Sequence, residues 1–562
     1  MRYELKHMDT VAGVGCFAAM PGPNLSLNQV LDHIREAPFD DFMHQFALQQ
    51  LGNLRTRKVE QYIAAVTDNT GDMDRVLAAL LLEACLNHQR FFHLRPRLDG
   101  LDHEMLACNS PALYLRSHLQ PDQPLHAAWA KLFAAAAMDH TPLPAPEQSG
   151  LQLPYTTEEM QRPPQPTATH IRAELAEGLP PARERMPALE TALHALKLLD
   201  KAGAFATPEM QHKACLSPFA RLRHWMFKVS TKNGRHDHTF EGMQTSYGRG
   251  LDENAARASY AMEVAERFSS YVSVGQKGVT GLAGNGELVR ADLNSARKQM
   301  AALNLEKLRL EVPYQRQTLH WLTGERMTEG GAEPVLIPLQ LVSLFCNLDE
   351  QTLFSALGST GLASGNTMAE ARLSALCEVL ERDADAVQPL DMRHCFRVQT
   401  SEPILAKHLA ALEECGIHVW FQDMTQEFGV PCYKSMVLGI RGDVNQGTGC
   451  SLNGARALIS ALTETPYPFP GPASGQTPEG LPVRRLEDLP DLSTGSAEGD
   501  LLILEKTLLA GGYTPHYADL TRRDLQIPVC RAIVPGLEIV SDYDRFTRLS
   551  PRLFRNYLRL FS

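Results

Sequence analysis

Apolar and polar positions along this 562-residue chain change their period twice. From Leu25 to about Met138 the apolar residues recur at helical spacing, and Leu77, Leu80, Leu81, Ala84 and Cys85 form one stripe. Between Thr141 and Pro181 prolines crowd together, from Pro142 to the Pro180-Pro181 pair, which predicts a semi-rigid linker or extended arm. Beyond it, helical and strand-like patterns alternate. Arg183–Ala202 reads as a helix with Leu189, Leu193, Leu196 and Leu199 in one stripe. Trp225–Ser230 and Thr239–Ser246 read as a hairpin around Asn233-Gly234, a pair that favours a tight turn. Leu336–Phe345, Cys415–Asp423 and Gly512–Asp519 read as strands, the last two each followed by an Asp-x-Thr turn and a proline. The expected organisation is a helical accessory or partner-binding domain over 1–140, a proline-rich linker over 141–182, and an α/β domain over 183–562.

One stretch carries the chemistry, Gly361 to Asp385. Thr367 is a natural N-cap, and Leu373, Leu376, Cys377, Val379 and Leu380 form the apolar side of the helix it opens. Asn366, Glu370, Ser374, Glu378, Glu381 and Arg382 follow one another at one-, three- and four-residue steps, on about one face. Stacked carboxylates repel unless a cation lies between them, and hard divalent cations such as Mg²⁺ take oxygen ligands shared with phosphates. Alone, such a face also fits a solvated surface with i,i+4 pairing.

A second copy changes the balance. Ser259-Tyr-Ala-Met-Glu263-Val-Ala-Glu266-Arg267 repeats Ser374-Ala-Leu-Cys-Glu378-Val-Leu-Glu381-Arg382 in register, and each copy follows a Gly-rich turn. Two such helices predict a pseudo-symmetric pair around one charged ligand. Together with Gly447-Thr-Gly-Cys-Ser-Leu-Asn-Gly-Ala-Arg456-Ala-Leu-Ile-Ser460-Ala-Leu-Thr-Glu464, they resemble the YcaO family over roughly Arg183 to Glu538.

The resemblance implies a duplicated, pseudo-symmetric α/β (α+β) YcaO-type domain behind a mostly helical N-terminal one. It implies ATP and Mg²⁺ as cofactors and phosphorylation of a peptide or protein backbone amide, as in azoline or thioamide formation. By that resemblance Arg249, Ser259, Glu263, Arg267, Asn366, Ser374, Arg382 and Arg456 face ATP. Glu263, Glu266, Glu370, Glu378, Glu381 and Glu464 are the metal ligands. Arg185 and Thr191 fall where the family carries a Lys and a Ser near the nucleotide. Ser460 stands where members usually have arginine, and Arg456 lies one helical turn earlier. Ser374 stands where many have Gln or His. The alternative is an accessory nucleotide-binding protein supporting a ribosomal-protein methylthiotransferase or other partner enzyme, and a sulfur donor or methylthiotransferase is the expected partner beside the peptide or protein substrate. A homodimer is expected in either case. No general base is identifiable, and no G-x-x-x-x-G-K phosphate loop is present.

Bulk properties exclude other classes. A net charge of −11 argues against broad nucleic-acid binding. No run of about 18 apolar residues predicts a membrane span, and MRYELKHMDTVAG lacks signal-peptide character. Eleven scattered cysteines without a C-x-x-C pair fit a reducing cytoplasm and give no zinc spacing. His88, Arg90 and His93 fit helix-end or surface groups, and His236 with His238 lacks a third ligand.

Overall fold

The computed structural model describes residues 1–8, 16–68, 73–232, 236–355, 357–474, 477–540 and 543–562. The helical reading of the N-terminal region holds from Leu27 to Asp139. Helix Arg75–Asn87 is capped by Asp74, whose carboxylate accepts the Leu77 amide, and it is buried from Leu77 through Cys85. At roughly 1.5–3 kcal/mol for each buried leucine, this helix is the hydrophobic centre of the region.

What the periodicity missed is that the chain starts as sheet. Arg2–Met8 pairs antiparallel with Cys16–Pro21 and parallel with Asp237–Gly250, in the register Tyr3 with Phe240. Two short strands separated by a few residues are weak signals until a distant partner fixes them. Buried Asp40 fastens this junction. It accepts from Tyr3 Oη (2.5 Å) and Asn347 Nδ2 (3.0 Å) and lies 2.8 Å from His33 Nε2. Burial opposes the Asp40 charge, but these hydrogen bonds and nearby His236 hold its carboxyl well below the usual range. His236 and His238 thus belong to a buried polar knot. One apolar core joins Val30, Leu31 and Leu80 to Phe240, Tyr260 and Val264.

Three sheets organise the rest. The first runs Cys16–Pro21, Arg2–Met8, Asp237–Gly250, Phe219–Lys232, Ser273–Gly275, Gly278–Thr280, with Met210–Gln211 at its side. The second runs Gly331–Pro338, Leu319–Thr328, His516–Asp519, Val529–Ile533, Leu362–Ser364, with Leu288–Ala291 beside Leu319–Thr328. The third runs Val444–Cys450, Cys432–Leu438, Trp420–Asp423, Cys395–Gln399, Val483–Arg485. Each sheet sends one strand into one helix: Asp237–Gly250 into Glu253–Ser270, Leu362–Ser364 into Met368–Val387, and Val444–Cys450 into Gly454–Glu464.

Several sequence boundaries shift. The 183–202 helix begins at Ala188, because Pro187 sits at its cap in an extended conformation. Its buried face is Thr191, Ala192, Ala195 and Leu199, while Leu189 and Leu193 face outward. The strand ending at Pro338 gives way to a helical turn at Leu339–Leu341, and the 415–423 strand begins only at Trp420. The hairpin strands form as expected, with Asn233-Gly234 outside the described residues. The Asp-x-Thr repeat closes identically in both copies. Asp423 accepts the Thr425 amide and Thr425 Oγ1 the Cys432 amide; Asp519 accepts the Thr521 amide and Thr521 Oγ1 the Val529 amide.

The proline-rich stretch is strapped to the C-terminal helix Pro551–Leu558. Tyr557 donates to Pro144 O (2.6 Å), Tyr155 to Leu549 O (2.6 Å), and Trp129 Nε1 to Gln152 O (2.8 Å). Buried His126 accepts the Leu549 amide through Nδ1 (3.2 Å), and burial lowers its pKa to about 4. With the folded pKa below the unfolded one, the unfolded chain binds more protons between about 6.5 and about 4. Stability therefore falls as pH drops through that window, by at most about 1.4 kcal/mol per unit from this group. Urea titrations at pH 7, 5.5 and 4.5 check this, and His126→Asn reduces the slope.

Candidate functional site

The three strand–helix units meet around one polar cavity of about 590 Å³, inside the ~300–1,000 Å³ span of small-molecule sites. The first helix contributes Ser259, Glu263, Glu266 and Arg267; the second Ser374, Glu378, Glu381 and Arg382; the third Arg456, Ser460 and Glu464. Arg249 joins from the Gly-rich strand end and Arg185 from the segment before Pro187.

Glycines set this convergence. A Cβ on Gly248 would lie 2.0 Å from Ala256 O and 2.3 Å from Tyr260 N. One on Gly449 would lie 2.2 Å from Ala457 O and 2.7 Å from Ala461 N. The offsets along the chain are the same in both units, so Ser460 and Glu464 stand to Gly449 as Ser259 and Glu263 stand to Gly248. The third helix is thus another copy of Ser-x-x-x-Glu, and a serine at 460 is what the internal repeat places there. Sequence reading paired only the first two helices because the third lacks the trailing Glu-Arg. Gly449→Ala should cost about 1–3 kcal/mol by forcing helix from strand. The urea midpoint checks it against Gly100→Ala, where a methyl group meets nothing within 4 Å.

The carboxylates do not face one another freely; arginines are laced between them. Arg267 lies 3.8 Å from Glu263 and 3.5 Å from Glu266, Arg382 3.6 Å from Glu381, and Arg249 3.3 Å from Glu464. Glu263 also accepts the Tyr247 amide (2.9 Å), and Glu381 accepts Thr448 Oγ1 (2.7 Å). Burial pushes all four inner carboxyls up, partly offset by the arginines. Glu378 adds to the rise at Glu266, and Glu464 helps push Glu381 up to about 8. Such a set gains from any cation placed among the oxygens. Among the described residues no three His, Cys, Asp or Glu side chains already form a metal shell.

Two of the sequence candidates lie elsewhere. Glu370 accepts the Asn366 amide (2.8 Å), while its own amide donates to Thr367 Oγ1 (3.2 Å). Thr367 is the N-cap, and the bond to the Asn366 amide holds the Glu370 side chain at the helix start. Asn366 Nδ2 donates to Thr191 Oγ1 (3.0 Å), and neither residue lines the cavity. Conversely, Asp500 lines it, held by Ser493 Oγ (2.8 Å) and the Thr494 amide (2.6 Å), with Arg185 at 3.9 Å. Arg531 stands fully buried behind Glu378 and Glu266, donating to Gly358 O (3.0 Å); burial lowers its pKa to about 10. Nothing in its strand sequence, Val529–Ile533, distinguishes it, because its role arises from the helices packed above.

The residues fit a polyphosphate held with a divalent cation. Oxygen donors come from three helices, and four arginines line the same cavity beside Arg185. Buried Arg249 Nε has no hydrogen-bond partner of its own, as suits a guanidinium awaiting an anion. The class is therefore a non-P-loop nucleotide-type site on an α/β scaffold.

Residues 247–466 match the family model described as YcaO cyclodehydratase, ATP- and Mg²⁺-binding. That stretch of the chain is similar to the YcaO domain, and ATP with Mg²⁺ are the ligands of that family. An uncharacterised protein of Methanothermobacter thermautotrophicus is 29% identical over 332 residues, covering 52% of this chain and 82% of its own length. An uncharacterised protein encoded in the tfuA 3′ region of Rhizobium leguminosarum bv. trifolii is 28% identical over 247 residues, covering 41% and 55%. Among solved structures, a heterocyclase in complex with substrate and cofactor shares 18% identity at a TM-score of 0.49; the match covers 66% of this chain and 56% of the heterocyclase. YcaO from Methanopyrus kandleri bound with AMPPCP and Mg²⁺ shares 20% identity at a TM-score of 0.45, covering 64% and 92%. Among the described residues no helix is long and apolar enough to cross a membrane.

Proposed function

We propose that this chain activates a backbone amide of a peptide or protein at the expense of ATP, in azoline or thioamide formation. The observation that carries the reading is the convergence of Ser259–Glu263, Ser374–Glu378 and Ser460–Glu464 with four arginines on one cavity. ATP, when bound, supplies the phosphoryl group that turns the amide oxygen into a leaving group, and Mg²⁺ neutralises phosphate charge. Glu263, Glu266, Glu378, Glu381 and Glu464 hold the metal in this reading. Arg249, Arg267 and Arg382 would exchange their carboxylate partners for phosphate oxygens, and Arg456 would add a fourth cation from the third helix. Ser259 and Ser374 are exposed and Ser460 half-buried along the cavity, and their hydroxyl groups would position bound oxygen atoms. Glu370 and Asn366 order the second helix start rather than touch ligand.

Ser460 at the family's usual arginine position favours a second reading, an accessory role beside a methylthiotransferase or other sulfur-donor partner. Arg456 keeps a cation in the cavity one turn away, which supports the first. Incubation with ATP, Mg²⁺ and a peptide library, with and without sulfide, separates the two. Phosphate release coupled to loss of water, or to exchange of oxygen for sulfur, is expected. Nucleotide binding without any peptide product overturns the enzymatic reading in favour of the accessory one.

A further inference from the structure

A second large cavity, of about 560 Å³, opens between the N-terminal strands and the segment leading to the second site helix. Four consecutive residues, Phe17, Ala18, Ala19 and Met20, line it. Side chains alternate faces along a strand, so what all four share with the cavity is the outer edge of their backbone. Cys16–Pro21 is the terminal strand of its sheet, and Arg2–Met8 is its one sheet partner among the described residues. An open edge beside a concave, largely apolar wall is what an added strand requires.

The opposite wall is one face of helix Asp41–Asn53, with Asp41, Gln45 and Gln49 in a polar row. Asp41 Oδ1 accepts from Gln45 Nε2 at 3.3 Å. No Lys or Arg lines the cavity among the described residues, and residues 9–15, between the two strands, include none in sequence. Among the charged groups acting on Asp41, His44 favours its ionisation, but His44 Nε2 is engaged 2.5 Å from Glu83, while Asp40 and Glu83 oppose it. Burial pushes the Asp41 carboxyl up. Phe345, on the far wall, adopts φ of 48°, a left-handed conformation uncommon for an aromatic residue.

We infer that this cavity docks an extended polypeptide segment as a strand added to Cys16–Pro21, with a Lys or Arg of that segment meeting Asp41. The two cavities are neighbours along the chain. Leu357 lines the docking cavity and Ser359 the carboxylate cavity, and two residues span at most about 7 Å. A segment docked here has its continuation within reach of the phosphate site. Assigning that segment to the substrate rests on the proposed function; the docking does not.

The test uses the full chain without nucleotide, on an array of hexapeptides with a fixed central Lys, against the same array with Glu. Lys peptides are expected to bind at least tenfold better than Glu peptides, and Asp41→Asn to erase that difference. N-methylating alternate amides of the best peptide along one edge abolishes binding, while methylating the other edge does not. Absence of binding, or binding indifferent to both Asp41→Asn and N-methylation, overturns the proposal. If ATP fails to bind the wild-type chain while Asp41-dependent peptide binding stands, the docking site is upheld and its assignment to a substrate falls.

Discussion

With Mg²⁺ present, ATP at a hundredfold excess over its Kd stabilises the wild-type chain by about 2.7 kcal/mol, and Glu378→Gln abolishes the gain. Glu378 lines the carboxylate cavity under the influence of Arg267, Arg382 and Arg531. Replacing its carboxylate by an amide of the same shape removes a fully charged oxygen from the carboxylate cavity without leaving a void. The free protein should remain as stable, or gain slightly, because Glu266 loses a like charge that now opposes its ionisation. Thermal melts and calorimetry, run with and without Mg²⁺, distinguish the outcomes. A ligand-induced rise that survives Glu378→Gln removes this residue from the metal set. Unfolding of the variant without ligand would make the glutamate structural.

The second large effect concerns the far end of the same helix. Arg552→Met should cost about 3–5 kcal/mol, the usual result of leaving one partner of a buried ion pair alone. Arg552 Nη1 lies 2.6 and 2.8 Å from the two oxygens of Asp383, and their side chains are 3% and 0% exposed. Asp383 also accepts the Glu538 amide (2.9 Å), and Arg552 reaches Gln426 and Glu427. This knot ties the C-terminal helix to the residue next to Arg382, one of the cavity arginines. Denaturant titration measures the loss. The double variant Arg552→Met/Asp383→Asn should recover much of it, since no uncompensated charge is then buried. A cost under about 1 kcal/mol for Arg552→Met would show that the pair is solvated, as surface pairs are.

Much of the site was legible from order along the chain. A helix carries its own periodicity, so Glu263, Glu266, Glu378 and Glu381 could be assigned to faces from spacing alone. The Gly-rich turns, the Thr367 cap and the paired Asp-x-Thr turns were legible for the same reason: each depends on atoms a few residues apart. Glu370 shows where that logic fails. It shares the acidic face by spacing, yet local capping claims it before any ligand does.

Contacts between distant segments were decided only in three dimensions. That Ser460 and Glu464 match Ser259 and Glu263 depends on two glycines letting strand and helix touch, which no periodicity reports. Asp500 enters the site, and Arg531 stands buried behind it, because separate elements pack together there. The opening strands exist because Asp237–Gly250 offers them an edge some 230 residues later. The sequence by itself determined the helices, their acidic faces and the family; tertiary structure decided which faces meet. Secondary structure answers to neighbours along the chain, whereas charge pairing, edge pairing and burial answer to whatever the fold brings alongside.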